Sequence, residues 1–203
     1  MPTGRRAARM KQQRSVDTRE ALIAGAAGVF ARLAYGDART RDIAVESGIS
    51  EGSLYFHFGT KADIAVAVLG LQQERMTAVL SDVQRSDEDS LNKLMELLSR
   101  LAELIARDQV VQAGIKLAGQ SSPDIADTAS ASYFEWVQIV RALLMEGLED
   151  GSVRPTVDVD REAQHVNAVF VGAQVLSGLA DSWASFPDRI AQLIPSLTES
   201  IRS

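Results

Sequence analysis

Apolar residues recur at helical spacing along nearly the whole chain, and no segment alternates apolar with polar for more than four residues. From Thr18, the set Leu22, Ala26, Val29, Phe30 and Leu33 forms one stripe, predicting a helix that opens at Asp17 or Thr18 and stops at Gly36. A short second helix is predicted from Arg39 or Thr40 to Ser47, ended by Gly48. A third starts behind Ser50, whose hydroxyl suits an N-cap, and carries Gly52 to Phe56. Gly59 and Thr60 then open a long helix with Ile64, Val68, Leu71, Val79, Leu80 and Val83 inward. Leu91, Leu94, Met95, Leu98, Leu101, Ala102 and Ile105 give the cleanest 3.6-residue period in the chain. Further helices are predicted at 109–119, 130–149, 160–182 and 188–202, divided by Pro123, Gly151 with Pro155, and Pro187. The expectation is an all-α fold of about nine helices.

The stretch from Val166 to Ala180 carries no charge but is too short, and too interrupted by Asn167, Gln174 and Ser177, to span a bilayer. It is apolar nearly all round, with Ala168, Gly172, Ala173, Ser177 and Gly178 allowing close approach. Together with the amphipathic 188–202 helix it is expected to form a two-fold homodimer interface, with Val169, Gly172, Val175, Leu193 and Leu197 as contact residues.

The 203 residues are 46% hydrophobic and 24% charged, an ordinary globular composition. No cysteine is present, so thiolate chemistry and cysteine-based metal sites are excluded, and two histidines, His57 and His165, leave little for a His-rich one. His165 reads as a structural or interface residue. Neither common phosphate-binding glycine loop occurs. Asp158, Asp160 and Glu162 lack the spacing of a calcium loop and suit a helix N-terminus instead. No serine has an identifiable base and no carboxylate pair stands out, so the expectation is a non-enzyme without metal or cofactor. The basic start runs into Asp17 and Glu20 without an apolar signal segment, and a cytoplasmic location without membrane attachment is expected.

Charge is uneven. The formal net charge is −6, yet residues 1–63 hold ten Lys/Arg against seven Asp/Glu, leaving +3, while the remaining eleven bases face twenty acids, leaving −9. A basic head on an acidic body suits nucleic acid at one end and another ligand elsewhere. Residues 39–58, RTRDIAVESGISEGSLYFHF, read as helix, glycine turn, helix. In such a pair the first helix braces and the second enters the major groove. Ile43, Val45, Ile49 and Leu54 are expected to lock the pair to the first helix. The candidate DNA contacts are Arg14, Arg39, Thr40, Arg41, Ser50, Gly52, Ser53, Tyr55, His57 and Lys61, with Lys61 placed to meet a phosphate.

The stretch 17–71, with REALIAGAAGVFARLAYG, RDIAVESGISEGSLYFHF and GTKADI, closely resembles the DNA-binding domain of the TetR family of transcriptional repressors. That resemblance implies a basic arm at 1–16, a helix-turn-helix domain at 17–60, and a ligand-binding and dimerisation domain at 61–203. It further implies a homodimer that binds a palindromic double-stranded operator and is released by a small molecule. GTKADIAVAVLGLQQ, VVQAGIKLA, YFEWVQIVRALL and VRPTVDVDREAQHVNAVFVGAQVLSGLADSWASFPDRIAQL resemble, more softly, the γ-butyrolactone autoregulator receptors of actinomycetes. This implies a small apolar effector of γ-butyrolactone, butenolide or furan type, and places Trp136 in its cavity. The candidate lining is Trp136, Phe134, Val137 and Val140, with Gln112, Lys116, Gln138 and Gln174 as polar candidates.

Two positions depart from the family pattern. Its threonine-rich entry to the second helix is here Ala38-Arg39-Thr40, and a lysine usual in the recognition helix is Glu51. A carboxylate repels phosphate but accepts from a cytosine amino group, so Glu51 bears on operator sequence rather than on DNA binding itself. Competing functions are a TetR-type regulator of efflux or lipid metabolism with another apolar ligand, and a DNA-binding protein that works without ligand.

Overall fold

The computed structural model describes the backbone of residues 3–120 and 126–202, and the side chains within that range except those of 3–8, 11 and 126–134. Among the described residues there are nine helices in the order α1 (Thr3–Arg32), α2 (Thr40–Ser47), α3 (Glu51–His57), α4 (Lys61–Gln84), α5 (Ser90–Arg107), α6 (Gln109–Ala118), α7 (Ala126–Asp150), α8 (Val159–Asp181) and α9 (Phe186–Ile201). The only extended pairing among them is an isolated bridge between Val153 and Arg202. No single helix among the described residues is long and apolar enough to cross a membrane.

The first helix departs from the expected bounds at both ends. It begins at Thr3, not at Asp17 or Thr18, because neither side chain caps. Thr18 Oγ1 donates back to the Arg14 carbonyl, and Asp17 accepts from Gln13 Nε2, both bonds of a continuing helix. It ends at Arg32, and Gly36 is not the left-handed stop; the positive-φ glycines are Gly48 and Gly151. Leu33, expected inward, is exposed.

The chain packs as two compact units, one formed by residues 1–72 with 112–129 and the other by 73–111 with 130–203. In the first, α1 pairs with α2 and α2 with α3. Leu22, Ala26, Phe30, Ile43, Leu54, Ile64 and Val68 are among its fully buried residues, and Gly25 sets how close α1 and α2 come. A Cβ at Gly25 would lie 2.8 Å from the Ser47 amide nitrogen and 2.9 Å from its Cα. Arg32 and Glu46 close the same seam with two hydrogen bonds of 3.2 and 2.8 Å.

In the second unit α5 pairs with α9 and α8 with α9. All the periodic α5 positions from Leu91 to Ile105 are buried, as are Phe186, Ile190, Leu197 and Ile201 of α9. Asp89 caps α5 by accepting from Asn92 N at 2.8 Å, and Asp150 accepts from the amides of Ser90 and Ser152 at 2.8 and 2.9 Å. Ser182 (φ 55°) and Trp183 (φ 69°) take two successive left-handed conformations at the corner between α8 and α9. The Trp183 N–H donates to the Ser177 carbonyl, and its buried indole lies over Gly178, where a Cβ would meet it at 2.9 Å.

Candidate nucleic-acid interface

The turn between α2 and α3 forms for local reasons. Gly48 sits at φ 68°, ψ 18°, a left-handed stop that costs glycine little. Ser50 is extended, and its Oγ accepts from Ser53 N at 3.2 Å, which satisfies one of the free amides at the start of α3. The start of α2 is held differently. Arg39 occupies the cap position and has no side-chain acceptor, so only the reciprocal half of a capping box exists: the Asp42 carboxylate accepts from Arg39 N at 3.0 Å. Ile43, Ala44 and Leu54 are buried, whereas Val45, expected to lock the pair, is 75% exposed. The helical phase of α2 puts Ala44, not Val45, toward the core.

This packing leaves one face of α3 in solvent. Glu51, Gly52, Tyr55 and Phe56 are exposed, and Ser53 and His57 half-exposed. Tyr55 is 52% exposed and its hydroxyl is 3.0 Å from Thr40 Oγ1, so the first residue of α2 holds the phenol at the surface. Arg39 and Arg41 flank that threonine, both exposed, and Ser50 is exposed beside them in the chain order of α3. Arg14 is exposed on α1. Of the ten candidate contacts, Lys61 is placed otherwise than expected. Its ammonium donates to the carbonyls of Tyr35 at 2.6 Å and Ala38 at 2.9 Å and lies 4.3 Å from the Tyr35 ring centroid. Its charge is spent inside the unit.

Phe56 was not among the candidates, yet it is 83% exposed, edge-on to the His57 ring at 5.3 Å. A phenyl ring suggests burial from sequence; only the phase of α3, fixed by Leu54 and Phe58 inward, shows otherwise. On a groove-facing helix such a ring suits thymine methyl groups.

The candidate effector residues divide between the units. Val140 is buried, and Trp136, Val137 and Gln174 are half-buried, in the second unit, while Gln138 is exposed. The side chain of Phe134 lies outside the described residues. Gln112 is half-buried in the first unit, and Lys116, exposed there, donates to the Ala31 carbonyl. A polar group that sequence reasoning missed is Gln73 of α4. Its Nε2 donates to Glu135 Oε2 at 3.1 Å, next in sequence to Trp136, while its buried Oε1 has no hydrogen-bond partner among the described residues. Among the expected dimer residues, Gly172 and Val175 are exposed and Val169 and Leu193 half-buried. Leu197, at 5% exposure, packs within its own unit and offers little to a second copy. Leu176 and Leu179 instead extend the exposed stripe, Leu179 at 82%. His165 is exposed, its Nδ1 3.0 Å from Glu162 Oε1. No group of three or more His, Cys, Asp or Glu among the described residues is arranged to hold a metal.

Comparison with known proteins places this geometry. Residues 22–68 match the family model of bacterial regulatory proteins, tetR family, and residues 88–201 match the tetracyclin repressor-like C-terminal domain. The chain is 27% identical over 192 residues to the A-factor receptor protein of Streptomyces griseus, an alignment covering 94% of this chain and 66% of that protein, just under two thirds of its length. Among solved structures it is similar to CprB, a TetR family protein from S. coelicolor A3(2), with TM-score 0.81 and 28% identity, covering 94% of this chain and 91% of that one. It is also similar to a gamma-butyrolactone receptor (ArpA-like protein), with TM-score 0.70 and 27% identity, covering 91% of this chain and 99% of that one. The family and these relatives are regulators rather than enzymes. With its two matched regions spanning most of the sequence, this chain belongs to the TetR family of bacterial regulatory proteins.

Proposed function

We propose that the protein is a cytoplasmic, ligand-released transcriptional repressor that binds a palindromic double-stranded operator as a homodimer. The observation that carries this reading is the exposed face of α3, with Tyr55 held at the surface by Thr40 and the arginines of α2 alongside. The helix enters the major groove; Tyr55, Ser53 and His57 contact phosphates or base edges, and Arg39 and Arg41 neutralise phosphates. Two heads are joined through α8 and α9, where Gly172, Val175, Leu176 and Leu179 form an exposed small-and-apolar stripe.

The effector is a small, mainly apolar molecule of γ-butyrolactone, butenolide or furan type, bound in the second unit. Support comes from the likeness to gamma-butyrolactone receptors and from Trp136, Val137, Val140 and Gln174 on α7 and α8. An alkyl tail gains about 0.8 kcal/mol per buried CH₂. A ring hydroxyl can donate to Gln73 Oε1, a buried oxygen without a donor among the described residues. Effector and operator oppose each other by linkage, each weakening the other by the same factor.

The test starts with selection of duplex DNA from a random pool by the full-length protein. Tyr55→Ala is expected to weaken binding to the selected duplex by about 1–3 kcal/mol in an anisotropy titration. Adding a γ-butyrolactone is expected to release the wild-type complex, and Trp136→Ala to keep DNA binding but lose that response. Failure to select any duplex overturns the repressor reading; unchanged release of Trp136→Ala overturns the pocket alone.

A further inference from the structure

The chain between α1 and α2 is short, residues 33–39. Its polar groups converge on one residue. Tyr35 is buried at 5% exposure, and its N–H donates to Gln120 Oε1 at 2.7 Å, just beyond the end of α6. Its carbonyl accepts from Lys61 Nζ at 2.6 Å, the first residue of α4, and the same ammonium reaches the Ala38 carbonyl and the face of the Tyr35 ring. The ring also packs against Phe30 of α1, with centroids 6.0 Å apart. One turn earlier, Lys116 of α6 donates to the carbonyl of Ala31, one of the last α1 carbonyls, which have no intrahelical donor. Two ammonium groups thus lie where the negative end of the α1 dipole emerges.

We propose that Tyr35 is a positioning residue for DNA reading, and that Lys61, Lys116 and Gln120 act on DNA only as a clamp on the α1–α2 turn, Lys61 and Gln120 by holding Tyr35 and Lys116 by holding the end of α1 at Ala31. α2 begins five residues after Tyr35, and its first residue, Thr40, holds the Tyr55 hydroxyl, so the clamp fixes the frame from which Tyr55 projects. The inference rests on the DNA-binding reading above but reassigns Lys61 from a phosphate contact, and Lys116 from the effector site, to the turn. A cation whose donors are committed to backbone carbonyls releases no counterion when DNA binds. All four residues belong to the first compact unit, so the clamp is a property of that unit.

The discriminating measurement is the salt dependence of affinity, made on the full-length protein with the duplex selected by wild type. Lys61→Met is expected to weaken binding about tenfold at fixed salt, the order of one lost charge-assisted hydrogen bond. Its slope of log affinity against log salt is expected to equal that of wild type. A direct phosphate contact would instead lower the slope by about 1. Gln120→Leu removes the acceptor for Tyr35 N–H and is expected to weaken binding several-fold, again without a change in slope. Gln120→Glu keeps an acceptor at that point and is expected to restore binding, which a volume or packing effect would not predict. Tyr35 amide exchange, followed by NMR without DNA, is expected to accelerate at least tenfold in Gln120→Leu and to recover in Gln120→Glu. A shallower slope in Lys61→Met, or wild-type exchange and affinity in Gln120→Leu, overturns the clamp. Should Lys61→Met fail to fold, the Gln120 pair decides. A wild-type protein that selects no duplex overturns the DNA reading, and the amide exchange then still tests the clamp.

Discussion

The α1–α2 seam and the α5–α9 seam solve the same problem by opposite means. Between α1 and α2 the helices approach at a glycine: Gly25 leaves no room even for a methyl group before the Ser47 backbone and Cβ are struck. Between α5 and α9 the contact is side chain on side chain, with leucines, isoleucines and Phe186 filling the space. A glycine seam fixes one separation and tolerates no growth, whereas a seam of branched side chains can repack within its volume. The part of the molecule that must hold a recognition helix in register has the rigid kind.

The sharpest way to break this contrast is a pair of substitutions. Gly25→Val should cost about 3 kcal/mol and abolish duplex binding, since the new atoms meet backbone rather than a flexible side chain. Leu98→Met, buried on α5, conserves volume and should cost less than about 1.5 kcal/mol. Denaturant melts of both variants check this, and equal losses would dissolve the distinction.

The next largest effect probes the face of the second unit that is left open. Gly172→Arg or Leu179→Arg adds a charge to the exposed α8 stripe. A stable two-fold interface buries more than about 1,200 Å² in total. Sedimentation should therefore shift from dimer to monomer, with cooperative binding to the palindrome lost. A variant that remains a tight dimer removes this stripe from the interface.

How far the sequence carried the reading depends on the range of the interaction. The ends of α2 and α3 were legible because a left-handed glycine and a serine cap act within three residues. The α5 stripe was legible because every one of its periodic positions is buried. What escaped depended on partners distant in sequence. Lys61 looks like a phosphate ligand until its carbonyls at Tyr35 and Ala38 are seen, and Lys116 looks like a pocket residue until Ala31 is seen. Long cationic side chains reach several ångströms in any direction, so charge in a sequence says little about where it is spent. Val45 and Ala44 are adjacent and both apolar, and only the packed phase of α2 separates them.

A smaller effect tests how the second unit fastens its helix ends. Hydrogen bonds from Ser152 and Ser90 hold the Asp150 carboxyl well below the usual carboxylate range. A depressed folded value stabilises above the ordinary unfolded value of about 3.9, and that contribution is lost as pH falls through the folded one. At neutral pH Asp150→Ala should cost about 1 kcal/mol, as a lost cap does. The gap between wild type and variant in urea melts should narrow below about pH 4. A gap that widens toward acid would contradict this origin. The smallest effect is expected at Ser182, where glycine relieves the left-handed backbone at some entropic cost; Ser182→Gly should stabilise by about 0.5 kcal/mol.

The corner formed by Ser182 and Trp183 also gives the protein an optical gauge. The chain has two tryptophans, and they sit in different surroundings. Trp183, pressed over Gly178 and shut away from water, should emit at short wavelength and resist quenching by iodide. Trp136, half-buried on α7, should emit further to the red and be quenched more readily. One emission spectrum therefore holds two separable clocks, one set by the joint between α8 and α9 and one by the face of α7, and Trp183→Phe or Trp136→Phe silences either in turn.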